Sequence, residues 1–325
     1  MDTISFASFN LYNYQITGKY VYRHKVTAAE YKNKKAWIVS MLKKIDADVI
    51  AFQELWTWEC LTKAFTEAGL ADDYTLLSIS DAAAPTWRGI SVAMAVRKPW
   101  RVAEKTTIKK FPFTQLIKQN HDDDEDDELK LEIDQFSRTI IKATIEKGGK
   151  QMDVYAAHLK AKLPTEIKTR EIAKKHHDAI GSAISTIRRT AEAAALRWEL
   201  TNAMKGNSNP VVVIGDLNDD PHSNTLSIIT EQPIMTTKAR GADTALYSTL
   251  MLEQLKSFRD VFYSHEYKNA KDTLDHILVS KEFFEFARGS KWRHTETQIW
   301  NDFIGDEDGA SSDHGIIKAS FASKR

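Results

Sequence analysis

Cysteine, proline and glycine are scarce in this chain, which has one, seven and thirteen of them among 325 residues. The lone Cys60 can form no internal disulfide and excludes a cysteine-rich zinc module, while leaving the compartment undecided. No stretch rich in Pro, Gly and Ser offers a linker and no repeat is present, which argues against a string of modules or a solenoid. Long apolar runs are missing too, since strings such as Val211 to Ile214 fall far short of the ~20 residues that span a bilayer. The opening Met-Asp-Thr-Ile-Ser-Phe lacks the basic and then apolar pattern of a signal peptide. These absences predict a soluble protein with no transmembrane segment, cytoplasmic in the first instance and secreted if a leader has been cut away. What is present is a globular composition, 42% hydrophobic and 28% charged, which supplies a core and excludes a disordered or fibrous chain.

Net charge is also absent, with 45 basic residues balancing 45 acidic ones. The balance hides an uneven distribution. Seven acids form the run Asp122 to Glu128, and setting them aside leaves 45 bases against 38 acids, a balance of +7. Such a block repels itself and reads by default as a solvated loop; its functional alternative is an acidic flap that repels nucleic acid or collects cations.

Strand-like and helical segments interleave along the chain. Ile4–Phe9, Val49–Gln53, Ile90–Val96, Thr139–Ile145, Met152–Ala157, Val211–Ile214, His276–Ser280 and Gly315–Phe321 have strand length and apolar content. Thr27-Ala-Ala-Glu30 is a capping box predicting a helix to about Ile45, and another helix is predicted near Glu59–Ala68. Thr165–Lys205, rich in Ala, Glu, Lys and Arg, predicts one very long helix or a helical hairpin around Gly181. The pattern predicts a single α/β domain over residues 1–325, with an acidic loop insertion near 119–130 and a long helical insertion near 165–205.

The informative residues stand where strands end. ISFASF ends at Asn10, DVIAFQ at Glu54 and MDVYAA at His158, and VVVIG runs into Asp216-Leu217-Asn218. Asp275-His276 opens ILVS, and Asp313-His314 opens GIIKASF. Each alone is most simply a turn or cap residue, or a structural histidine. Together they form a chemical set at the rim where open α/β sheets bind ligands. Asn10, Glu54 and Asp313 offer oxygen only, which suits Mg²⁺, Mn²⁺ or Ca²⁺ and metal-assisted hydrolysis. Zinc is disfavoured, because His176 and His177 are adjacent and cannot share a helix face.

These residues lie in FNLYN, DADVIAFQE, RGISVAMAVR, FSRTIIKATI, AAHLKAK, VVVIGDLNDDP, LDHILVS and SSDHGIIKASF, which span residues 4–321. The whole resembles the endonuclease/exonuclease/phosphatase superfamily, whose members include deoxyribonuclease I, exonuclease III, apurinic endonucleases, neutral sphingomyelinases and inositol polyphosphate 5-phosphatases. HLKAK and GDLNDDP are most similar to the bacterial nucleases of the group, and the inositol phosphatase signatures are missing. Tyr12 stands where several apurinic endonucleases carry an acid, which speaks against abasic-site specificity.

The resemblance implies a four-layer α/β sandwich, two central mixed β-sheets packed face to face and flanked by helices, with the site at one edge. It implies Glu54 as the principal ligand of a Mg²⁺ ion, with Asn10 and Asp313 completing the shell. Asp216 would orient or deprotonate the attacking water and Asn218 hold it. His314, oriented by Asp275, would stabilise charge or act as general acid, and His158 would face the phosphate from the other side. Arg138 is the expected fork-shaped phosphate donor and Lys160 a further phosphate contact. Lys168, Arg170, Lys174, Lys175, Arg188 and Arg189 invite reading as a phosphate-tracking stripe, and Trp87-Arg88 as a base-stacking site; a solvated helix and a packed aromatic are the plainer readings.

The expected activity is divalent-metal-dependent hydrolysis of a phosphodiester, with DNA or RNA as partner and substrate and no protein partner evident. A small phosphate ester (a sugar, inositol or lipid head-group phosphate) is the alternative substrate. A catalytically inactive phosphate-binding module is the third possibility, opposed by the presence of Glu54, Asp216 and His314.

Overall fold

A computed structural model describes residues 2–82, 87, 89–113, 116–117, 130–169, 171–234, 241–256, 263–267, 270–306 and 309–324. The acidic run 122–128, Arg88 and Arg170 lie outside the described residues. The strands of the two large sheets are β1 (Thr3–Tyr14), β2 (Val49–Leu55), β3 (Tyr74–Ser78), β4 (Ser91–Arg97), β5 (Arg101–Lys110), β6 (Gln135–Lys147), β7 (Lys150–His158), β8 (Val211–Asp216), β9 (Leu246–Ser248), β10 (Asp275–Ser280), β11 (Trp292–Trp300) and β12 (Ile316–Ser323). The helices are α1 (Ala28–Ile45), α2 (Trp58–Ala68), α3 (His177–Met204), α4 (Asn224–Thr230) and α5 (Thr249–Gln254).

Each sheet has six strands, in the orders β11-β12-β1-β2-β4-β3 and β9-β10-β8-β7-β6-β5. Both are mixed, because β1 runs parallel to β2 and β7 parallel to β8, while their other neighbours are antiparallel.

Alternation along the strands builds the layers. On β1, Ile4 and Phe6 enter the core shared with Val154, Val212, Ile214 and Ile277 of the second sheet. Ala7 and Phe9 point the other way, into a core with Ile38 and Leu42 of α1 and Leu61 and Phe65 of α2. On the second sheet Tyr155, Val211 and Val213 pack outward with Leu196 and Leu200 of α3 and Leu226 and Ile229 of α4. This is the expected four-layer sandwich. Helix α1 begins where expected: the Thr27 side chain accepts from Glu30 N–H at 3.2 Å and the Glu30 carboxylate accepts from Thr27 N–H at 2.7 Å.

Some expectations are corrected. Of the two forms expected for 165–205 the single long helix is the one present, but it is α-helical only from His177, after a 3₁₀ turn at Lys174–His176, and Gly181 lies inside α3. A Cβ on Gly181 would fall 2.4 Å from the Thr165 carbonyl oxygen, so this glycine lets the incoming chain cross the helix. The helix is the outer layer on the second sheet, packed through Leu196 and Leu200. Strands β3, β5 and β11 carry no long apolar run in the sequence; β5 and β11 are edge strands with exposed residues along much of their length. Among the described residues, no helix is long and apolar enough to cross a membrane.

Candidate active site

Four of the expected site residues follow from strand parity alone. The residues of β1 that face the other sheet run Ile4, Phe6, Ser8, Asn10, so the row becomes polar as it reaches the rim. On β7 the row is Met152, Val154, Ala156, His158; on β8 it is Val212, Ile214, Asp216; on β10, read inward from the rim, it is Asp275, Ile277, Val279. Register then aligns them, since His158 pairs with Asp216 and Asp216 with Asp275 on adjacent strands. Gly215 makes this alignment possible: its φ is +152°, and a Cβ there would lie 1.9 Å from the Ala157 carbonyl oxygen.

Glu54 has the opposite parity and arrives by a break in the backbone. It sits at φ +58°, Tyr12 and Asn13 at +46° and +58°, and the ladder from β2 to both neighbours slips there. Non-glycine residues in this region cost of order 1–3 kcal/mol each and persist only where the surroundings hold them. Here Asn13 N–H donates to the Glu54 carboxylate at 3.0 Å, Trp56 Nε1–H donates to Asn13 Oδ1 at 2.9 Å, and Trp56 N–H to the Tyr14 carbonyl at 2.9 Å.

The centre of the site is Asp216. Its Oδ2 is 3.2 Å from Asn10 Nδ2, 3.4 Å from His158 Nε2 and 4.0 Å from His314 Nε2, while Oδ1 accepts from Asn218 N–H at 2.9 Å. The other nitrogen of His314, Nδ1, bonds Asp275 Oδ2 at 2.8 Å. Asn218 Nδ2 and an Arg138 guanidinium nitrogen both donate to the Leu159 carbonyl, at 3.1 and 2.9 Å. All of Asn10, His158, Asp216, Asn218, Asp275 and His314 are buried, and Asp313 and Glu54 are half-buried.

Charge follows from this packing. Burial pushes Asp216 above the ordinary carboxylate range; His314 pulls it down, and Asp275 and Glu54 raise it again. Burial disfavours a proton on His314, yet the Asp275 and Asp216 carboxylates outweigh it and hold the imidazole well above its usual value. His158 goes the other way: burial, reinforced by Arg138 and His314, keeps it neutral. The Asp313 carboxyl is raised by burial, with His314 opposing and Glu54 adding to the shift. The packing therefore favours a proton on His314 and none on His158, with Asp216 between them a carboxyl that burial makes easier to protonate.

The Lys160 ammonium donates to the carbonyls of Ala161 and Leu163, at 3.2 Å each, and closes its own loop. The proposed basic stripe does not form around Arg188 and Arg189. Arg189 is buried against Asp219 at 3.1 Å, and Arg188 lies 3.4 Å from Glu192. Trp87 packs with the helix-side core and donates to the Leu55 carbonyl at 3.3 Å, as the plainer reading had it.

Several residues escaped the sequence reading. Ser312 donates its hydroxyl to the Asn10 carbonyl at 2.9 Å and accepts His314 N–H at 3.0 Å, tying β1 to the His314 turn. Glu192 of α3 accepts from Ser137 N–H and Lys160 N–H, both at 2.7 Å, and so fixes the segments that carry Arg138 and Lys160. His265 lies on a hairpin of Tyr267 and Ala270 with its ring 4.9 Å from that of His314. Only Ser312 left a trace, as part of the SSDH string.

Among the described residues, oxygen and nitrogen donors gather at two places. His265, Asp313 and His314 present ligand atoms within 4.8 Å of one another, as do Asp216, Asp275 and His314. The donor chemistry fits a hard cation on the Asp313 side, where Asp313 Oδ1 is buried without a hydrogen-bond partner and the Glu54 carboxylate lies close enough to raise it.

The family model for the Endonuclease/Exonuclease/phosphatase family matches residues 7–314. This chain belongs to that family. Among solved structures, the catalytic domain of human Nocturnin with bound sulfate is similar at 15% identity and a TM-score of 0.59, covering 99% of this chain and 95% of that one. A humanized TDP2 of D. rerio has 16% identity and a TM-score of 0.59, covering 98% and 99%. An endonuclease/exonuclease/phosphatase from Bacteroides vulgatus has 13% identity and a TM-score of 0.58, covering the whole of both chains. At such identities the likeness is one of fold. No curated protein matches by sequence. The Endonuclease/Exonuclease/phosphatase match begins on β1 and ends at His314, the strand and turn that Ser312 ties together.

Proposed function

We propose that this protein is a divalent-metal-dependent phosphodiester hydrolase, a nuclease acting on DNA or RNA. The observation that carries it is the buried relay in which Asp275 holds Nδ1 of His314 at 2.8 Å while Nε2 of the same ring faces Asp216 at 4.0 Å. Family membership supports the class of ester, and nucleic acid is favoured by the +7 balance outside residues 122–128.

Glu54 and Asp313 would hold the cation, Mg²⁺ or Mn²⁺, with Asn10 beside them; when bound it supplies Lewis-acid charge at a nonbridging phosphate oxygen. Asn10 has both amide atoms engaged, Oδ1 accepting Tyr12 N–H at 2.9 Å and Nδ2 donating to Asp216 at 3.2 Å, so it also aims Asp216. Asp216, with a raised pKa, is a base suited to taking the proton of the attacking water near neutrality. Protonated His314 stabilises the phosphate as negative charge builds, Asp275 fixing its tautomer and ring. Neutral His158 donates or accepts one hydrogen bond and adds no charge. Asn218 holds Asp216 and the Leu159 loop, and Arg138, tethered to the same carbonyl, is the remaining fixed cation. Lys160 contributes through its backbone and its loop.

The test incubates plasmid, single-stranded DNA, RNA and a set of small phosphate esters with Mg²⁺, Mn²⁺ or EDTA, alongside His314→Ala and Asp216→Asn. Metal-dependent cleavage of nucleic acid, lost in both variants, is expected. Turnover of small esters alone would replace the substrate, and cleavage of nothing under any metal would end the hydrolase reading.

A further inference from the structure

The hairpin between β1 and α1 carries a pattern that the catalytic reading leaves unused. Its sequence Gly18-Lys-Tyr-Val-Tyr-Arg-His-Lys25 sets two tyrosines among basic residues, and no acid occurs between Asp2 and Glu30. Lys19, Tyr20, Tyr22, Arg23, His24 and Lys25 are all exposed, Tyr22 at 70% and Tyr20 at 58%. Among the described residues, Lys19, Arg23 and Lys25 form no ion pair, and His24 binds Glu30 at 2.9 Å.

This loop is ordered by its backbone. Tyr20 pairs with Lys25 and Val21 with His24, Gly18 N–H donates to Val26 at 2.8 Å and Val26 N–H to Lys19 at 2.9 Å. The Gln15 amide holds the Tyr20 carbonyl at 3.3 Å. At the tip Tyr22 sits at φ +51°, a strained position for an aromatic residue. Its ring meets Trp56 edge to face, with centroids 5.2 Å apart. Trp56 is the residue whose indole holds Asn13, which in turn holds Glu54. The aromatic pair thus stands on the same bonds that aim the metal-side carboxylate. Partial burial and the Glu54 carboxylate push the Tyr22 phenol up and the Arg138 guanidinium pulls it down, so the ring lies within the field of both groups.

An exposed ring beside a phosphate site, flanked by unpaired cations, is what stacking on a base requires; a paired base already has both faces covered in its duplex. We propose that this hairpin grips an unpaired strand of nucleic acid, with Tyr22, backed by Trp56, stacking on the base next to the scissile phosphate while Lys19, Arg23 and Lys25 meet neighbouring phosphates. The inference rests on the hydrolase reading and adds the form of substrate to it.

The measurement is fluorescence anisotropy of a labelled oligothymidylate and of a duplex of equal length, in EDTA and across a salt series. Tyr22→Ala should weaken the single strand by about tenfold, the size of one lost base stack, and leave the duplex unchanged. Tyr22→Phe, which keeps the ring, should bind as the parent does. Replacing Lys19, Arg23 and Lys25 by alanine together should flatten the slope of log K against log salt by about 2, from three lost phosphate contacts. Parental binding by Tyr22→Ala, or an equal loss on the duplex, overturns the proposal. Turnover of small phosphate esters without any binding of the strand sinks the hairpin and spares the hydrolase; strand binding with no turnover of any ester does the reverse.

Discussion

In the first sheet the parallel pair β1 and β2 is flanked by antiparallel β12 and β4; in the second, β8 and β7 are flanked by β10 and β6. Both pairs end at one rim, where Asn10 of one sheet bonds Asp216 of the other at 3.2 Å. The same plan yields different chemistry. The second sheet delivers His158, Asp216 and Asp275 side by side in unbroken register. The first delivers Glu54 only by slipping its ladder and holding Tyr12, Asn13 and Glu54 in left-handed conformations. Regular ladder fixes His158, Asp216 and Asp275 to the sheet, and irregular backbone turns a carboxylate of the wrong parity, Glu54, toward Asp313.

The sharpest way to break this comparison is Asp275→Asn. The variant keeps the shape of the His314 contact and removes its charge, so kcat is expected to fall by about three to four orders of magnitude, as for a triad carboxylate made neutral. It should also change the pH profile. His314 is protonated below its raised pKa, so the parent loses activity as pH rises through that value. Without the Asp275 anion the proton is held less tightly, and the falling limb should move to lower pH. A loss of rate with the limb unmoved would show that Asp275 only packs.

Next in size is Glu54→Gln, which addresses the first sheet. Mn²⁺ affinity, read by electron paramagnetic resonance of the free ion, should drop by more than the roughly 10- to 100-fold that loss of a partner behind a ligand costs. Asp216→Asn should leave it near the parent value. If both variants lose the ion equally, the division of labour between the sheets is wrong.

The same contrast explains what was legible in the sequence. Asn10, His158, Asp216 and Asp275 could be found because each ends an apolar row of period two, and a row that turns polar at a strand end is visible without a structure. The face-to-face packing of two sheets was legible only through the family resemblance, because alternation along a strand does not say which sheet lies across from it. Edge strands β5 and β11 were not legible, because exposed strands need no apolar face. Nor were contacts set by loops: Lys160 turned toward Ala161 and Leu163, Arg189 sank against Asp219, and His265 reached His314 from a hairpin that nothing in its composition marks. Gly181 could be read as a turn or as part of one long helix, and it is a crossing point within the helix, a role shown only by the Thr165 carbonyl that lies against it.

The smallest expected effect tests the joint between the sheets. Ser312 binds the Asn10 carbonyl on one side and His314 N–H on the other, both within 3.0 Å, and is itself buried. Ser312→Ala removes one donor and one acceptor of a buried pair of bonds, which costs about 1–3 kcal/mol because the partners stay unsatisfied. The fold should survive with a lower midpoint in urea. Because Asn10 aims Asp216 and His314 faces the same carboxylate, a small shift of the turn changes both approaches at once, and kcat should fall about tenfold. KM should change little, since Ser312 touches neither Arg138 nor the hairpin at Tyr22. A rise in KM with kcat intact would mean that the turn shapes the substrate cleft instead of the relay, and that the two sheets are coupled through Asn10 and Asp216 alone.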